Sequence, residues 1–274
     1  MYKIIVKREL APKIKLLEVE APEVAAKSNP GQFVILNLHE KGERFPITIA
    51  GVGTSDGTIR LVFNEVGKST RQLGTLNEGE DILNLAGPLG KPTEIEKFGN
   101  VLCVGGGVMI GPLHFVALAL KKAGNRLITV IGARVESLLI FEDDMKAISD
   151  EFYVATDDGS KGYEGLDFLK EILDRGEINR VVTMGSVATM RAVSELTKPY
   201  GIKTTATLTP IMVDGTGMCG CCRVSVEGST RFACVDGPEF DADEIDWDLL
   251  ISRQRTYLPE ERISSLMSER LSGM

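Results

Sequence analysis

Four of the five cysteines are crowded into a short stretch, and this cluster is the part of the sequence best suited to chemistry. It reads Asp214-Gly-Thr-Gly-Met-Cys219-Gly-Cys221-Cys222, with Cys234 further on. Glycine-rich backbone lets a loop wrap a metal centre and aim amide N–H groups at sulfur, which stabilises a reduced cluster. The spacing Cys219-x2-Cys222…Cys234 follows the plant-type [2Fe-2S] pattern, with Asp214 where that pattern has its first cysteine. Since a carboxylate can ligate iron, we expect a [2Fe-2S] cluster with these four ligands.

Other interpretations of the cysteines stay open. Structural zinc, held by thiols of the same cluster, is one of them. Cys221 could also replace Asp214 as the fourth iron ligand, although the adjacent side chains of Cys221 and Cys222 tend to diverge. The thiols could instead be buried without a ligand. That last interpretation is our expectation for Cys103, which lies in a buried-type strand before a glycine turn.

A glycine-rich turn after a predicted strand could hold a dinucleotide. Gly105, Gly106 and Gly107 come between a buried-type strand and a helical stretch. Glycine at that place lets the backbone approach a pyrophosphate at a helix N-terminus. The spacing is not the G-x-G-x-x-G of dinucleotide-binding folds, so a tight turn without a ligand is the alternative.

Further candidate residues end two other predicted strands of the same region. Asp157 and Asp158 follow one strand and Gly185 closes another, so all three belong at the carboxyl edge of the sheet. Open α/β sheets bind their ligands at this edge. The carboxylates could therefore accept hydrogen bonds from ribose hydroxyls, and a solvated loop is the alternative.

The first third of the chain has a candidate phosphate cradle. Gly67, Lys68, Ser69 and Thr70 open a short helix and combine free amides, hydroxyls and a lysine. They are not a Walker A loop, because no glycine stands five residues before Gly67. A capped helix start without a ligand is the alternative. A predicted strand of the same region carries Arg44, Pro46 and Thr48.

Composition limits the classes of function. The chain has 274 residues, a formal net charge of -8 and 6% aromatic residues. Without clustered Lys and Arg to neutralise phosphates, or many rings for base stacking, we expect no nucleic-acid partner. No apolar run approaches the roughly 20 residues of a membrane helix, and the amino end resembles no signal peptide. We therefore expect a cytoplasmic protein without a membrane partner, whose cysteines bind metal rather than form disulfides.

The elements that must position these groups form two regions and a tail. Short segments rich in β-branched and aromatic residues, separated by turns such as residues 55–57, predict an antiparallel barrel or sandwich over residues 1–97. Strands that alternate with helices predict a doubly wound parallel sheet over residues 98–209. Residues 210–274 fit neither pattern, since they hold the cysteines, an acidic stretch over 236–248 and a polar, helical end.

Taken in order, these motifs resemble those of the ferredoxin–NADP reductase superfamily. The likeness rests on R-x-P-x-T at 44–48, G-K-S-T at 67–70, G-P-L-G at 87–90, the glycine-rich nucleotide region and the cysteine loop, and it covers essentially the whole chain. Within the superfamily the chain is similar to the electron-transfer subunits of dihydroorotate dehydrogenase B. It is more similar still to the small subunits of NADH-dependent reduced ferredoxin:NADP oxidoreductase, also called sulfide dehydrogenase subunits. Asp214 separates the second group from the first, which has cysteine there.

The resemblance implies cofactors and a partner. It implies FAD on the barrel, contacted by Arg44, Pro46 and Thr48, with its pyrophosphate on residues 67–70. It also implies NAD(H) on the second region, with electrons passing between NAD(H), FAD and the [2Fe-2S] cluster, so that no side chain needs to act as a catalytic acid or base. The implied partner is a larger subunit with FAD and [4Fe-4S] clusters, which would connect the chain indirectly to ferredoxin in an electron-bifurcating oxidoreductase.

Two other functions stay open. An electron-transfer subunit of another dehydrogenase, for dihydroorotate or sulfide, would be distinguished by the large subunit that purifies with it. A redox-sensing or zinc-stabilised protein without flavin would show neither flavin nor iron–sulfur absorbance after anaerobic purification.

Overall fold

A computed structural model of the chain describes residues 1–53 and 57–272. The turn predicted at residues 55–57 lies outside the described residues in its first two positions. The described residues form two seven-stranded sheets and a two-stranded hairpin. The predicted fold class, a β barrel followed by a parallel α/β sheet, is confirmed.

The first sheet is antiparallel and curls into a nearly closed barrel. Its strands are rich in β-branched and aromatic residues, which suit a pleated, half-buried surface. Two helices interrupt them, α1 (Pro22–Ala25) and α2 (Lys68–Thr75). The strands are β1 (Tyr2–Ala11), β2 (Ile14–Glu20), β3 (Phe33–Asn37), β4 (Arg44–Val52), β5 (Thr58–Asn64), β6 (Asp81–Ile82) and β7 (Asn84–Leu89). Their order in the sheet is β6-β1-β2-β5-β4-β3-β7.

The second sheet is parallel over its first six strands, and its central strands are buried on both faces by helices. Its strands are β8 (Asn100–Gly106), β9 (Arg126–Ala133), β10 (Glu151–Thr156), β11 (Tyr163–Glu164), β12 (Arg180–Met184) and β13 (Thr204–Thr207). The helices around it are α3 (Ile110–Lys122), α4 (Glu142–Ile148), α5 (Leu169–Leu173) and α6 (Val187–Thr197).

The tail supplies a hairpin, β14 (Arg223–Val226) and β15 (Ser229–Phe232), and one more strand, β16 (Glu239–Asp241). This last strand pairs antiparallel with β13, so the order of the second sheet is β11-β10-β9-β8-β12-β13-β16. Two helices follow, α7 (Trp247–Gln254) and α8 (Leu258–Ser272). The predicted domain limits stay predictions, although the first falls between β7 and β8. Among the described residues, no helix combines the length and apolar character needed to cross a bilayer.

Helix α3 joins the barrel to the parallel sheet. Val116 on this helix shares one hydrophobic core with Val101 of β8 and with Ala50 and Val62 of the barrel. Gly111 permits the close approach, because a Cβ added there would lie 3.0 Å from Val62 Cγ2 and 3.4 Å from Ala50 Cβ. The two sheets are therefore held together by continuous packing, and this packing forms the floor for a cleft between them.

Candidate functional site

A cleft of about 620 Å³ lies between the barrel and the carboxyl edge of the parallel sheet. The segment that precedes the cysteine loop also lines it, through Pro210 and Met212. The cleft brings together eight of the predicted cofactor-binding residues: Pro46, Thr48, Thr70, Gly105, Gly106, Gly107, Asp157 and Gly185. The other five do not line it: Arg44, Gly67, Lys68, Ser69 and Asp158.

The glycine turn after β8 forms one wall of the cleft. A Cβ on Gly105 would lie 2.6 Å from Leu113 Cδ2, so this position has no space for a side chain. Gly107 has a φ of +56°, and no atom lies within 4 Å of the place its Cβ would occupy. The chain then enters α3, whose first turn has no side-chain cap. An open, uncapped helix start next to backbone without side chains suits a pyrophosphate.

The start of α2 lies on the barrel side. The Thr70 hydroxyl accepts a hydrogen bond from the Gly67 N–H at 3.1 Å, which caps the helix start. The Ser69 hydroxyl donates to the carboxylate of exposed Glu43. Of the four predicted cradle residues, Thr70 alone therefore reaches the cleft, while Ser69 is bonded at the surface.

The loops after β9 and β10 are bonded to each other at the far end of the cleft. The Asp157 N–H donates to the Ala133 carbonyl at 3.1 Å, and the Glu136 N–H donates to Ser160 Oγ at 2.8 Å. The Ser160 hydroxyl donates to Asp158 and lowers the pKa of that carboxyl, so Asp158 is engaged in holding the loop. Asp157 is the carboxylate that faces the cleft.

Sequence reasoning missed Arg134, which lines the cleft directly after β9. No carboxylate within the described part of the chain forms a salt bridge with it, so its charge is available to a phosphate. A signal existed, because Arg134 follows a predicted strand at the same carboxyl edge as Asp157. Its side chain was not distinguishable from an ordinary surface arginine by spacing alone.

The hairpin of β14 and β15 brings two of the four predicted cluster ligands together. Cys222 directly precedes β14, Cys234 follows β15, and their sulfur atoms lie 3.1 Å apart. Both thiols are buried, whereas Cys219 is exposed. Burial is the main cause that raises the pKa of Cys234, and the hydrogen bond with the Cys222 thiol raises it further. A hydrogen bond from the Gly217 backbone lowers it. The Gly217 backbone of the glycine loop therefore faces the sulfur atom of Cys234.

The other two predicted ligands lie on the loop outside this pair. The Asp214 carboxylate accepts a hydrogen bond from the Thr216 N–H at 3.0 Å and another from its hydroxyl. The Thr216 hydroxyl is the main reason that the pKa of Asp214 is lowered, and the charge of Arg44 adds to the effect. Among the residues that the structure describes, no three His, Cys, Asp or Glu side chains are grouped to hold a metal ion. The complete ligand set therefore stays a prediction.

Cys103 is buried in β8, as predicted, and burial raises its pKa to about 12. It is thus a packed thiol without ready access to its reactive thiolate form.

The paired thiols lie against the barrel strand next to the predicted flavin contacts. Cys222 and Cys234 share a small core with Phe33 and Ile35 of β3. On the neighbouring strand β4, Thr48 pairs with Phe33 and Pro46 pairs with Ile35. One strand therefore separates the thiol pair from the residues predicted to contact the flavin.

This chain is similar over most of its length to proteins named as electron transfer subunits. A family model described as the iron-sulfur cluster binding domain of dihydroorotate dehydrogenase B matches residues 209–246. The Thermotoga maritima protein named dihydroorotate dehydrogenase B (NAD(+)), electron transfer subunit homolog, is 45% identical over 264 residues, which cover 93% of each chain. A probable electron transfer subunit of the same enzyme from Methanocaldococcus jannaschii is 34% identical and matches 79% of this chain and 80% of its own length.

Two solved structures have the same overall fold as this chain. A chain from the structure of an NADH-dependent reduced ferredoxin-NADP oxidoreductase, studied for flavin-based electron bifurcation, superposes with a TM-score of 0.91. It is 44% identical, and the match covers 96% of both chains. An Amycolatopsis cytochrome P450 reductase has a TM-score of 0.61 at 19% identity, over 72% of this chain and 65% of its own, and this likeness concerns the fold alone.

Proposed function

We propose that this chain, which belongs to the family of dihydroorotate dehydrogenase B electron-transfer subunits and their homologues, passes electrons between NAD(H), FAD and a [2Fe-2S] cluster. The observation that carries the proposal is the cleft, because it is lined by the barrel, by the glycine turn and by the segment leading into the cysteine loop. When bound, the flavin takes up a hydride as two electrons and exchanges them singly with a cluster that accepts one.

The cleft fits a flavin on its barrel side. Its volume of about 620 Å³ lies within the range of roughly 300–1,000 Å³ typical of cofactor and ligand sites. Pro46 and Thr48 line it from β4 and Thr70 lines it from α2, so these residues would hold the flavin. Arg44 begins the same strand, and its charge helps to lower the pKa of Asp214 on the cysteine loop.

The opposite wall fits a nicotinamide dinucleotide. At Gly107 the backbone faces open space at the start of α3, so its amides would bind the pyrophosphate. Arg134 would add a positive charge, and Asp157 would accept hydrogen bonds from a ribose. Side chains at Gly106 and Gly185 would project toward Thr189, which also lines the cleft. Glycine at both positions therefore leaves space along this wall.

The thiol pair fits a metal cluster. Two free, buried thiols with their sulfur atoms 3.1 Å apart suit neighbouring ligands of one metal ion. Cys222 and Cys234 would hold the cluster together with Asp214 and Cys219. Gly215 places the cysteine loop next to the barrel. Its φ of +80° and its lack of a side chain let the loop backbone pack on Ile35 and Leu89.

A larger partner subunit is implied, since the relatives are named electron transfer subunits. We propose that this partner carries FAD and [4Fe-4S] clusters, connects the chain to ferredoxin and bifurcates electrons. The structure with a TM-score of 0.91 comes from an enzyme studied for that process. The chain has 5 cysteines, which cannot supply both this cluster and the four thiolates of a [4Fe-4S] cluster.

Anaerobic purification with the large subunit tests the proposal. We expect one FAD, two iron and two sulfide ions to be attributable to this chain, and NADH to bleach the flavin absorbance. C103A is the matched control, because it removes a buried thiol outside the cysteine loop and is expected to keep full iron content. Zinc in place of iron, with no flavin absorbance, would establish the redox-sensing or zinc-stabilised alternative instead.

A second candidate is the electron-transfer subunit of a dihydroorotate dehydrogenase. The relatives' names and the match over residues 209–246 favour it. The same purification distinguishes the two, because dihydroorotate would then bleach the flavin of the complex and NADPH would not.

A further inference from the structure

Two arginines hold consecutive carbonyl groups of the cysteine loop. Arg223 Nη1 donates to the Gly220 carbonyl at 3.1 Å. Arg253 Nη2 donates to the Cys221 carbonyl at 3.2 Å. Arg223 begins β14 and Arg253 lies near the end of α7, so two separate elements fix one short segment between the predicted ligands Cys219 and Cys222.

These bonds determine how the two peptide groups are oriented. The cis peptide bonds among the described residues are Gly87-Pro88 and Gly237-Pro238, so the peptides of the cysteine loop are trans. A trans peptide directs its carbonyl and its N–H to opposite sides. With both carbonyls turned toward guanidinium groups, the N–H groups of Cys221 and Cys222 point away from the arginines.

The two guanidinium groups also bring charge that is not neutralised. Arg126, Arg175 and Arg191 each form a salt bridge with a carboxylate. Within the described part of the chain, Arg223 and Arg253 form none and are bonded to backbone carbonyls instead. In a chain with a formal net charge of -8, two cations that bond to the same loop without a carboxylate partner are a specific local feature.

We propose that Arg223 and Arg253 are positioning residues that orient the loop amides and raise the reduction potential of the candidate [2Fe-2S] cluster. The inference rests on the proposed function. Reduction adds one negative charge, so nearby fixed positive charge and N–H donors favour the reduced form over the oxidised form. Neither side chain needs to contact iron or sulfur for this effect.

A redox titration of the purified complex, followed by electron paramagnetic resonance, tests the proposal. At the potential where the wild-type cluster is half reduced, we expect the ratio of reduced to oxidised cluster to fall about tenfold in R253Q and in R223Q. A tenfold change corresponds to about 59 mV for a one-electron couple. R253K keeps the charge, and we expect it to stay near the wild-type potential.

The matched control is R255Q. Arg255 stands two positions after Arg253 and is exposed, and nothing among the described residues links its side chain to the cysteine loop. R255Q therefore removes the same formal charge from the same end of α7 without removing a bond to the loop. We expect its cluster to titrate like the wild type.

The outcomes separate the two proposals. A wild-type complex without iron would overturn the proposed function and this inference together. A wild-type cluster whose potential is the same in R253Q, R223Q and R255Q would overturn this inference alone. If R253Q folds with full flavin content but loses iron while R255Q keeps it, that result also supports the positioning of the loop by Arg253.

Discussion

The contact between the cysteine loop and the barrel gives a quantitative prediction at Gly215. An alanine there would adopt a φ of +80°, which costs an L-residue about 1–2 kcal/mol. Its Cβ would also lie 2.7 Å from Ile35 Cγ1 and 2.9 Å from Leu89 Cδ1. These neighbours belong to barrel strands β3 and β7 and pack in the core beneath the thiol pair, so the insertion adds an overpacking cost of about 1–3 kcal/mol.

Gly228 provides the matched control. It has a φ of +68° in the turn between β14 and β15, and no atom lies within 4 Å of the place its Cβ would occupy. G228A therefore carries the backbone cost alone, and the difference between G215A and G228A isolates the overpacking of about 1–3 kcal/mol. At roughly 2–4 °C for each kcal/mol, thermal unfolding followed by circular dichroism resolves this difference.

Iron content gives a second measurement on the same two variants. Because Gly215 directly follows the predicted ligand Asp214, displacement of the loop from β3 should lower the iron content of G215A while its flavin is retained. G228A should keep both. If G215A unfolded at the same temperature as G228A and held as much iron, the packing of the loop on the barrel would not position the cluster.

Three further predictions concern separate parts of the site. C222S should lose the cluster, because it removes one of the two paired thiols, whereas C221S should keep it; iron and sulfide analysis distinguishes them. G107A should weaken NADH binding at least about tenfold without loss of flavin, while G176A, with a similar φ but no place in the cleft, should bind NADH normally. Burial is the main cause that raises the pKa of Glu239 above the ordinary glutamate value of 4.5. The stability of the wild type should therefore fall relative to E239Q as pH rises from 4.5 through the folded-state pKa, as urea unfolding would show.

Local sequence patterns predicted the two sheets because each has a strong periodic signal. The strand-glycine-helix order around Gly105 is a local pattern, and the structure follows it through β8 and α3. Strand β16 was not predicted, because its three residues carry little signal and its pairing with β13 is set by tertiary contact. The hairpin of β14 and β15 was also not predicted, although Glu227-Gly228 forms its compact turn with positive φ at both positions.

The site residues could be predicted only where their spacing along the sequence indicates a particular chemistry. The spacing predicted Cys222 and Cys234 as two ligands of one cluster, and the structure places their sulfur atoms 3.1 Å apart. Arg134 and Arg253 were not predictable, because an isolated arginine carries no periodicity and each acquires its role from loops or helices folded far from it in sequence. Contacts of a charged side chain with a distant element can be identified only once the tertiary structure is known.

The carboxyl-terminal tail connects the barrel, the parallel sheet and the cysteine loop, and it lines part of the cleft between them. At Gly237 its backbone carbonyl accepts a hydrogen bond from the Lys91 N–H at 2.7 Å, directly after the barrel. At Glu239 it enters the parallel sheet through β16, and the Thr93 hydroxyl donates to the Glu239 carboxylate at 2.9 Å. The same short segment follows Cys234, so these hydrogen bonds hold the chain next to the thiol pair against both sheets. The proposed electron transfer across the cleft depends on the distances to both of its walls, and these contacts hold the carboxyl-terminal segment in place against both sheets.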